Sequence, residues 1–340
     1  MSPDLAAVAL AGVSLLFLGP LSGWLDRAAW VTRAPRSAVA LWQAIGLAGG
    51  GAAVGAGLSV AVARYHSGLV GGVGDLVGSL VGGHPLEGMG LIDALGLTLA
   101  VDVGVVLLAV VAITMAGTIR ARARHRRLLD LVGVGTDRVP GAVMLDDPRA
   151  AAYCLPGIRP RIVVSAGALR LLRSEELAAV VEHERGHAHE RHGLVLLPLA
   201  SMSGLLRRVP YAHRAPRAVA ALLEMAADDH AARRHDPGAL AAALVLMGTA
   251  GAVPTKGTAG AVPTKGTAGA VPTMGTAGAV PTMGTAGAVP TCAFAAASTA
   301  VPARVHRLLE PRRSSRPVAV VTFVAAMLAV AVPFVPFVAR

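Results

Sequence analysis

The chain has 340 residues, of which 54% are hydrophobic and 3% aromatic, and its mean hydropathy is +0.61. Long runs of Ala, Val, Leu and Gly at that average read as membrane spans, and exclude an ordinary cytosolic or secreted enzyme and a disordered chain. The formal net charge of +11 can mark nucleic-acid binding or membrane topology. Here the arginines cluster beside apolar runs and no recognition motif accompanies them, so topology is the reading and no direct nucleic-acid contact is expected. Lysine occurs only at Lys256 and Lys265. The two cysteines, Cys154 and Cys292, give neither a disulfide framework nor a CxxC zinc pattern and fit a reducing compartment.

In chain order, four segments approach or exceed the roughly 20 residues that a helix needs to cross the hydrocarbon. They are Leu5–Leu25, Ser37–Ala63, Leu91–Gly117 and Pro317–Ala339. No Lys or Arg precedes the first, so it is expected to be retained rather than cleaved as a signal peptide. Arg27, Arg33 and Arg36 follow the first span, Arg64 alone follows the second, and Arg120, Arg122, Arg124, Arg126 and Arg127 follow the third. Arg304, Arg307, Arg312, Arg313 and Arg316 precede the fourth. The positive-inside rule then puts both termini outside and the large region between the third and fourth spans in the cytoplasm of a multi-pass plasma or inner-membrane protein. The outer loop, 64–90, carries apolar residues from Leu69 to Val81 at a spacing of three to four, which suits a short surface helix. Asp102 stands inside the third span, either as a functional intramembrane acid or as a bundle contact.

The domain plan is therefore three spans in 1–117, a cytoplasmic catalytic domain in 118–247, a linker in 248–292, a basic end in 293–316 and a last span in 317–340. The linker consists of five copies of a nine-residue unit, GTAGAVPT plus Lys, Met or Cys, beginning at Gly248, Gly257, Gly266, Gly275 and Gly284. Such a unit has too little bulky apolar surface to build a core. It interrupts a domain, with helix-like Ala239–Met247 before it and the basic segment Val301–Leu309 after it. Residues 194–206 are apolar but too short to span, and are expected to lie against the membrane or the spans.

Chemistry concentrates in Ser174–Gly193, SEELAAVVEHERGHAHERHG. Ser174 is the expected N-cap and Gly193 the expected stop of a helix carrying His183-Glu184-Arg185-Gly186-His187, an HExxH pattern. Histidines at i and i+4 share one face, so both imidazoles reach one Zn²⁺, and Glu184 beside them can act as the general base. The chain has 11 histidines and His183, His187, His189 and His192 crowd this stretch, so a solvated histidine-rich helix is the competing reading. Downstream, Ala218–Arg233 is a second helix-like run with Glu224-Met225-Ala226-Ala227-Asp228. Glu224 supplies a third ligand, leaving a position for water, and Asp228 one turn later can bond a ligand histidine from behind. Gly186 costs about 1 kcal/mol in mid-helix, which a close approach of another element would justify. The oxyanion of peptide hydrolysis needs a further stabiliser, for which His230, His235, Tyr211 and Arg233 are candidates.

HExxH followed by ExxxD, carried between a third and a fourth span, resembles the membrane-embedded gluzincin metallopeptidases, and in particular the BlaR/MecR-type antirepressor peptidases. Ala152–Gly157, Arg161–Ser165, the helix start Leu169–Leu172 and the RxxRLL stretch Arg304–Leu309 share in the resemblance, which is strongest from about 150 to 235. It implies a mainly α membrane protein with four transmembrane helices and a cytoplasmic α+β gluzincin domain whose two strands flank the cleft. It also implies a zinc endopeptidase that acts on a protein substrate, a cytosolic transcriptional repressor of the BlaI/MecI type. The bilayer and a second copy of the chain, as a homodimer, complete the expected partners. Family members often carry an aspartate shortly after HExxH; here His189-Glu190-Arg191-His192-Gly193 has none. With no penicillin-binding sensor after the fourth span, β-lactam sensing by that route is not expected. An HtpX-type quality-control protease shares both motifs, and a non-enzymatic receptor or scaffold is the third reading; dispensability of Glu184 would distinguish the last.

Overall fold

The computed structural model describes residues 2–65, 67–83, 88–157, 159–206, 208–252, 301–310 and 316–331. The first apolar run is helical throughout: α1 (Pro3–Leu16), a wider π turn (Phe17–Leu21) and α2 (Ser22–Arg27). The π turn contains Pro20, which has no N–H to give and whose ring displaces the preceding turn. The Ser22 hydroxyl donates to the Gly19 carbonyl at 2.7 Å and so satisfies one acceptor there. A short 3₁₀ turn leads to α3 (Pro35–Ala61), which starts on Pro35, where the missing N–H costs nothing. Next come α4 (Gly68–Val81), the expected outer-loop helix, and α5 (Leu91–Val132). The helix of the third expected span does not stop at Gly117 but runs on through the arginines that follow, to Val132.

Four short strands come next: β1 (Val134–Gly135), β2 (Val143–Leu145), β3 (Ala152–Leu155) and β4 (Arg161–Ser165). They form one sheet in the order β1-β2-β4-β3. β3 and β4 are antiparallel, with Tyr153 opposite Val163 and Cys154 opposite Ile162, whereas β2 and β4 are parallel. Helices α6 (Ala166–Leu171), α7 (Ser174–His189), α8 (His192–Leu205), α9 (Pro210–Ala231), α10 (Pro237–Ala252), α11 (Val301–Leu309) and α12 (Arg316–Ala331) complete the chain. Ser165 caps α6, accepting from the Ala168 N–H at 3.0 Å while its hydroxyl donates to the Arg149 carbonyl at 2.6 Å. Among the described residues three helices are long and apolar enough to span: Pro3–Arg27, Pro35–Ala61 and Leu91–Val132. The chain is thus mainly helical, with apolar helices near its N-terminus and a sheet-containing domain, as a membrane protein would be. The fourth expected span is described only to Ala331, as the 16 residues of α12. The repeat lies outside the described residues beyond Ala252, and its first five residues extend α10.

The chain divides into two compact units. The first comprises 1–117, 194–225 and 312–340, and the second 118–193 and 226–311. Residues 194–225, placed by the domain plan in the catalytic domain, therefore cluster with the apolar N-terminal helices. In the first unit α3 packs between α1 and α12, around Trp42, Ile45, Leu25, Val219 and Leu222. The Tyr211 hydroxyl donates to the Trp42 carbonyl at 2.7 Å in this core, and burial pushes its pKa up. The second unit has its core between α7, α10, α11 and the sheet, from Val164, Leu177, Val180 and Val181 to Leu240, Leu244 and Leu308. Arg126 does more than mark topology there: it donates to the carbonyls of Leu155, Pro156 and Arg159 and so fastens the turn between β3 and β4.

Candidate metal centre

Helix α7 begins one residue earlier in its capping than Ser174 suggests. Arg173 is extended and takes the N-cap position, and its N–H donates to the Glu176 carboxylate at 2.8 Å. The serine is the first helical residue. From there α7 buries Leu177, Val180 and Val181 and, on the adjoining stripe, His183, Glu184 and His187. Gly186 is matched by a close approach: a Cβ there would lie 3.0 Å from Cβ of His230, on α9. The helix ends at His189 rather than Gly193. Arg191 turns the chain with φ of 51° and α8 starts at His192. Gly193 serves packing instead, since a Cβ there would meet the Arg122 guanidinium at 2.6 Å.

Nε2 of His183 and Nε2 of His187 face each other at 3.2 Å. Glu224, carried by α9 one turn before Asp228, brings a carboxylate oxygen into the same group, and the three ligand atoms lie within 4.8 Å of one another. Two nitrogens bound tetrahedrally to one zinc at 2.0–2.1 Å stand about 3.3 Å apart. The imidazole pair therefore already has the spacing that the ion requires, and two imidazoles with one carboxylate are the donor set of an open catalytic zinc site.

The imidazole of His183 is fixed from behind. Its Nδ1 lies 3.0 Å from Oδ1 of Asp228, and both side chains are buried. Arg304 of α11, itself fully buried, closes on the same carboxylate: Nε donates to Oδ2 at 2.8 Å and a terminal nitrogen to Oδ1 at 2.6 Å. Burial alone would raise the pKa of Asp228. The Arg304 guanidinium and His183 outweigh it and hold the carboxyl well below the usual range. Asp228 therefore stays ionised and accepts the His183 Nδ1–H, which turns the Nε2 lone pair toward the site. Beside it, Arg307 donates to both oxygens of Asp229 at 2.8 and 2.9 Å. Neither arginine was singled out as a site residue by local spacing, because Arg304 is 76 residues from Asp228 and lies beyond the repeat. The RxxRLL stretch was the available signal.

Glu184 is fully buried, and its Oε2 accepts the Cys154 N–H of β3 at 2.9 Å. The sheet thus orients the carboxylate. His187 has its own backing: Nδ1 of His192 lies 2.8 Å from Nδ1 of His187.

The oxyanion candidates are dispersed. His230 lies over Gly186 with its Nε2 3.1 Å from Glu182 and 3.0 Å from Arg234, while a terminal nitrogen of Arg233 lies 3.1 Å from Nδ1. Burial, with Arg233 and Arg234, lowers its pKa against the opposing pull of Glu182. Arg233 is thereby occupied with His230. His235 sits half-buried in the turn after α9. The Tyr211 hydroxyl is taken by Trp42. Thirteen residues of α9 separate Tyr211 from Glu224, about 20 Å at 1.5 Å per residue.

Residues 118–248 match the family model of peptidase family M48. The match covers somewhat more than a third of the chain, including α7, α9 and all of the residues above except Trp42 and those of α11. It supports a metallopeptidase hydrolase and suggests a membrane-associated zinc protease. No curated protein and no solved structure matches the chain.

Proposed function

We propose that this chain is an integral-membrane zinc endopeptidase whose catalytic domain faces the cytoplasm, and that it cuts a cytosolic protein as a regulatory event. The substrate class is a transcriptional repressor of the BlaI/MecI type. The reading rests above all on the buried chain Arg304–Asp228–His183, facing His187 and Glu224. A solvated histidine-rich helix needs no such backing. The engagement of Arg304 and Arg307 with the two aspartates also gives the RxxRLL stretch a role, which supports the antirepressor resemblance.

His183, His187 and Glu224 would hold the zinc, which when bound acidifies a water and polarises a carbonyl. Glu184 accepts the proton of the attacking water and returns it to the departing amine. Its carboxylate is held for this by the Cys154 N–H. Asp228 keeps His183 in one tautomer and takes no proton itself.

The test is Glu184→Gln in the full chain in detergent. It keeps about one zinc per chain and loses proteolysis, because the carboxamide cannot take a proton. Retained cleavage would remove Glu184 from the role. The same variant holds uncleaved substrate, and the captured proteins distinguish a repressor from the damaged membrane proteins that an HtpX-type quality-control enzyme would hold.

A further inference from the structure

We infer that His192 is the positioning residue of His187, with Glu190 behind it, so that an imidazole stands where a carboxylate backs His183. This deepens the zinc reading above and rests on it. An imidazole that offers Nε2 to a metal carries its proton on Nδ1, and what that N–H donates to fixes tautomer and ring orientation. For His187 the acceptor is Nδ1 of His192, 2.8 Å away. His192 then carries its own proton on Nε2, which donates to Oε2 of Glu190 at 3.3 Å. The two rings stand edge to face, with centroids 4.8 Å apart at 88°, and His192 is 1% exposed.

The backbone shows what this placement costs. Among the described residues, Arg191 is the one non-glycine with positive φ, at 51°. A side chain in the left-handed region is disfavoured because its Cβ crowds the following carbonyl oxygen. The turn at Arg191 ends α7 and reverses the chain so that the first residue of α8 comes back against His187, one turn of helix behind the break. It also places Glu190 and His192 on either side of the strained residue, within reach of each other. The segment that lacks the family's aspartate therefore supplies a neutral acceptor from a different position, in series with an acid.

The experiment measures zinc affinity by chelator competition, and the visible spectrum of the cobalt(II) form, on the full chain in detergent. Wild type, His187→Ala, His192→Leu, His192→Asn and Glu190→Ala are compared. His192→Leu fills the space but accepts nothing, and is expected to weaken zinc by about 10–100-fold and to shift the cobalt bands. In His192→Asn, Oδ1 occupies the place of the imidazole Nδ1, so affinity and spectrum return toward wild type. Wild-type affinity in His192→Leu, with zinc lost in His187→Ala, overturns the inference and leaves the zinc site standing. Equal losses in His192→Leu and His192→Asn overturn it too, since they mean packing alone. If His192→Leu does not fold, Glu190→Ala decides: weakened zinc supports the inference and unchanged zinc overturns it. Absence of zinc from wild type removes the underlying site, and the inference with it.

Discussion

At the scale of single residues, Asp228 and Arg304 are the most exacting pair. Both are buried and bidentate, so removing one leaves an uncompensated charge in the core. Arg304→Met is expected to cost about 3–5 kcal/mol in unfolding and to weaken zinc, and Arg304→Lys to rescue neither, because an ammonium cannot match both oxygens. Urea unfolding and a zinc titration check this; a Lys variant equal to wild type would show that the fork geometry is idle. Gly186→Ala should lose stability despite alanine's better helix propensity, because its methyl group meets Cβ of His230 at 3.0 Å. The pH dependence has two parts with the same slope. Asp228 titrates lower folded than unfolded, so its contribution is complete above the ordinary carboxylate range and is lost only as pH falls through the depressed folded value. His230 also titrates lower folded than unfolded, so the unfolded chain takes up its proton first, and stability begins to fall as pH drops below about 6.5. His230→Gln should flatten that second decline in unfolding measurements taken on the acid side of neutrality.

At the scale of elements, the informative cases are those where local signals and tertiary demands diverge. The apolar helices near the N-terminus and the helices α7, α9 and α10 were legible because length, hydropathy and the 3.6-residue period are local properties. Strands β1 and β2 were not, since two and three residues carry no period. The ends of α7 were misread for a physical reason. Glu176 reaches back one residue further than Ser174 suggests, and a glycine that packs on Arg122 resembles a glycine that stops a helix. His183, His187, Glu224 and Asp228 could be grouped from spacing on two helices, whereas His192 was hidden in a crowd of histidines and Arg304 by distance along the chain. Two expectations follow. Arg191→Gly should stabilise the chain by on the order of 1 kcal/mol, since glycine tolerates the left-handed turn, and Arg191→Val should destabilise it; the midpoints of urea unfolding give the sign. Helix α11 closes the core with Leu308 and the site with Arg304. A chain ending before Val301 should therefore lose high-affinity zinc, and co-expression of 301–340 as a separate polypeptide should restore it. Zinc binding undiminished in the truncated chain would mean that α11 is an accessory.

At the scale of the whole molecule, charge placement predicts an orientation. Reporter fusions after Arg33, within 118–130 and at residue 310 are expected to read cytoplasmic, and a fusion in 82–90 to read outside. An outside reading at 310 would place the catalytic unit on the other face and end the proposal of a cytosolic substrate. The division of the chain into two units also shows the reach and limit of a linear domain plan. Residues 194–225 fall inside the stretch that matches the peptidase model but cluster with the apolar N-terminal helices, a placement that the apolar content of 194–206 already suggested. The packing of α11 on α10 has a genetic consequence. These two helices hold each other whatever joins them, and the entropy of closing a flexible connection rises only with the logarithm of its length. On the expectation from its composition that the repeat is such a connection, gaining or losing one nine-residue copy should change stability by about 0.2 kcal/mol. Slippage during replication could then alter copy number among isolates with almost no penalty to folding, so natural length variants should concentrate between these two helices and keep their catalytic sequence unchanged.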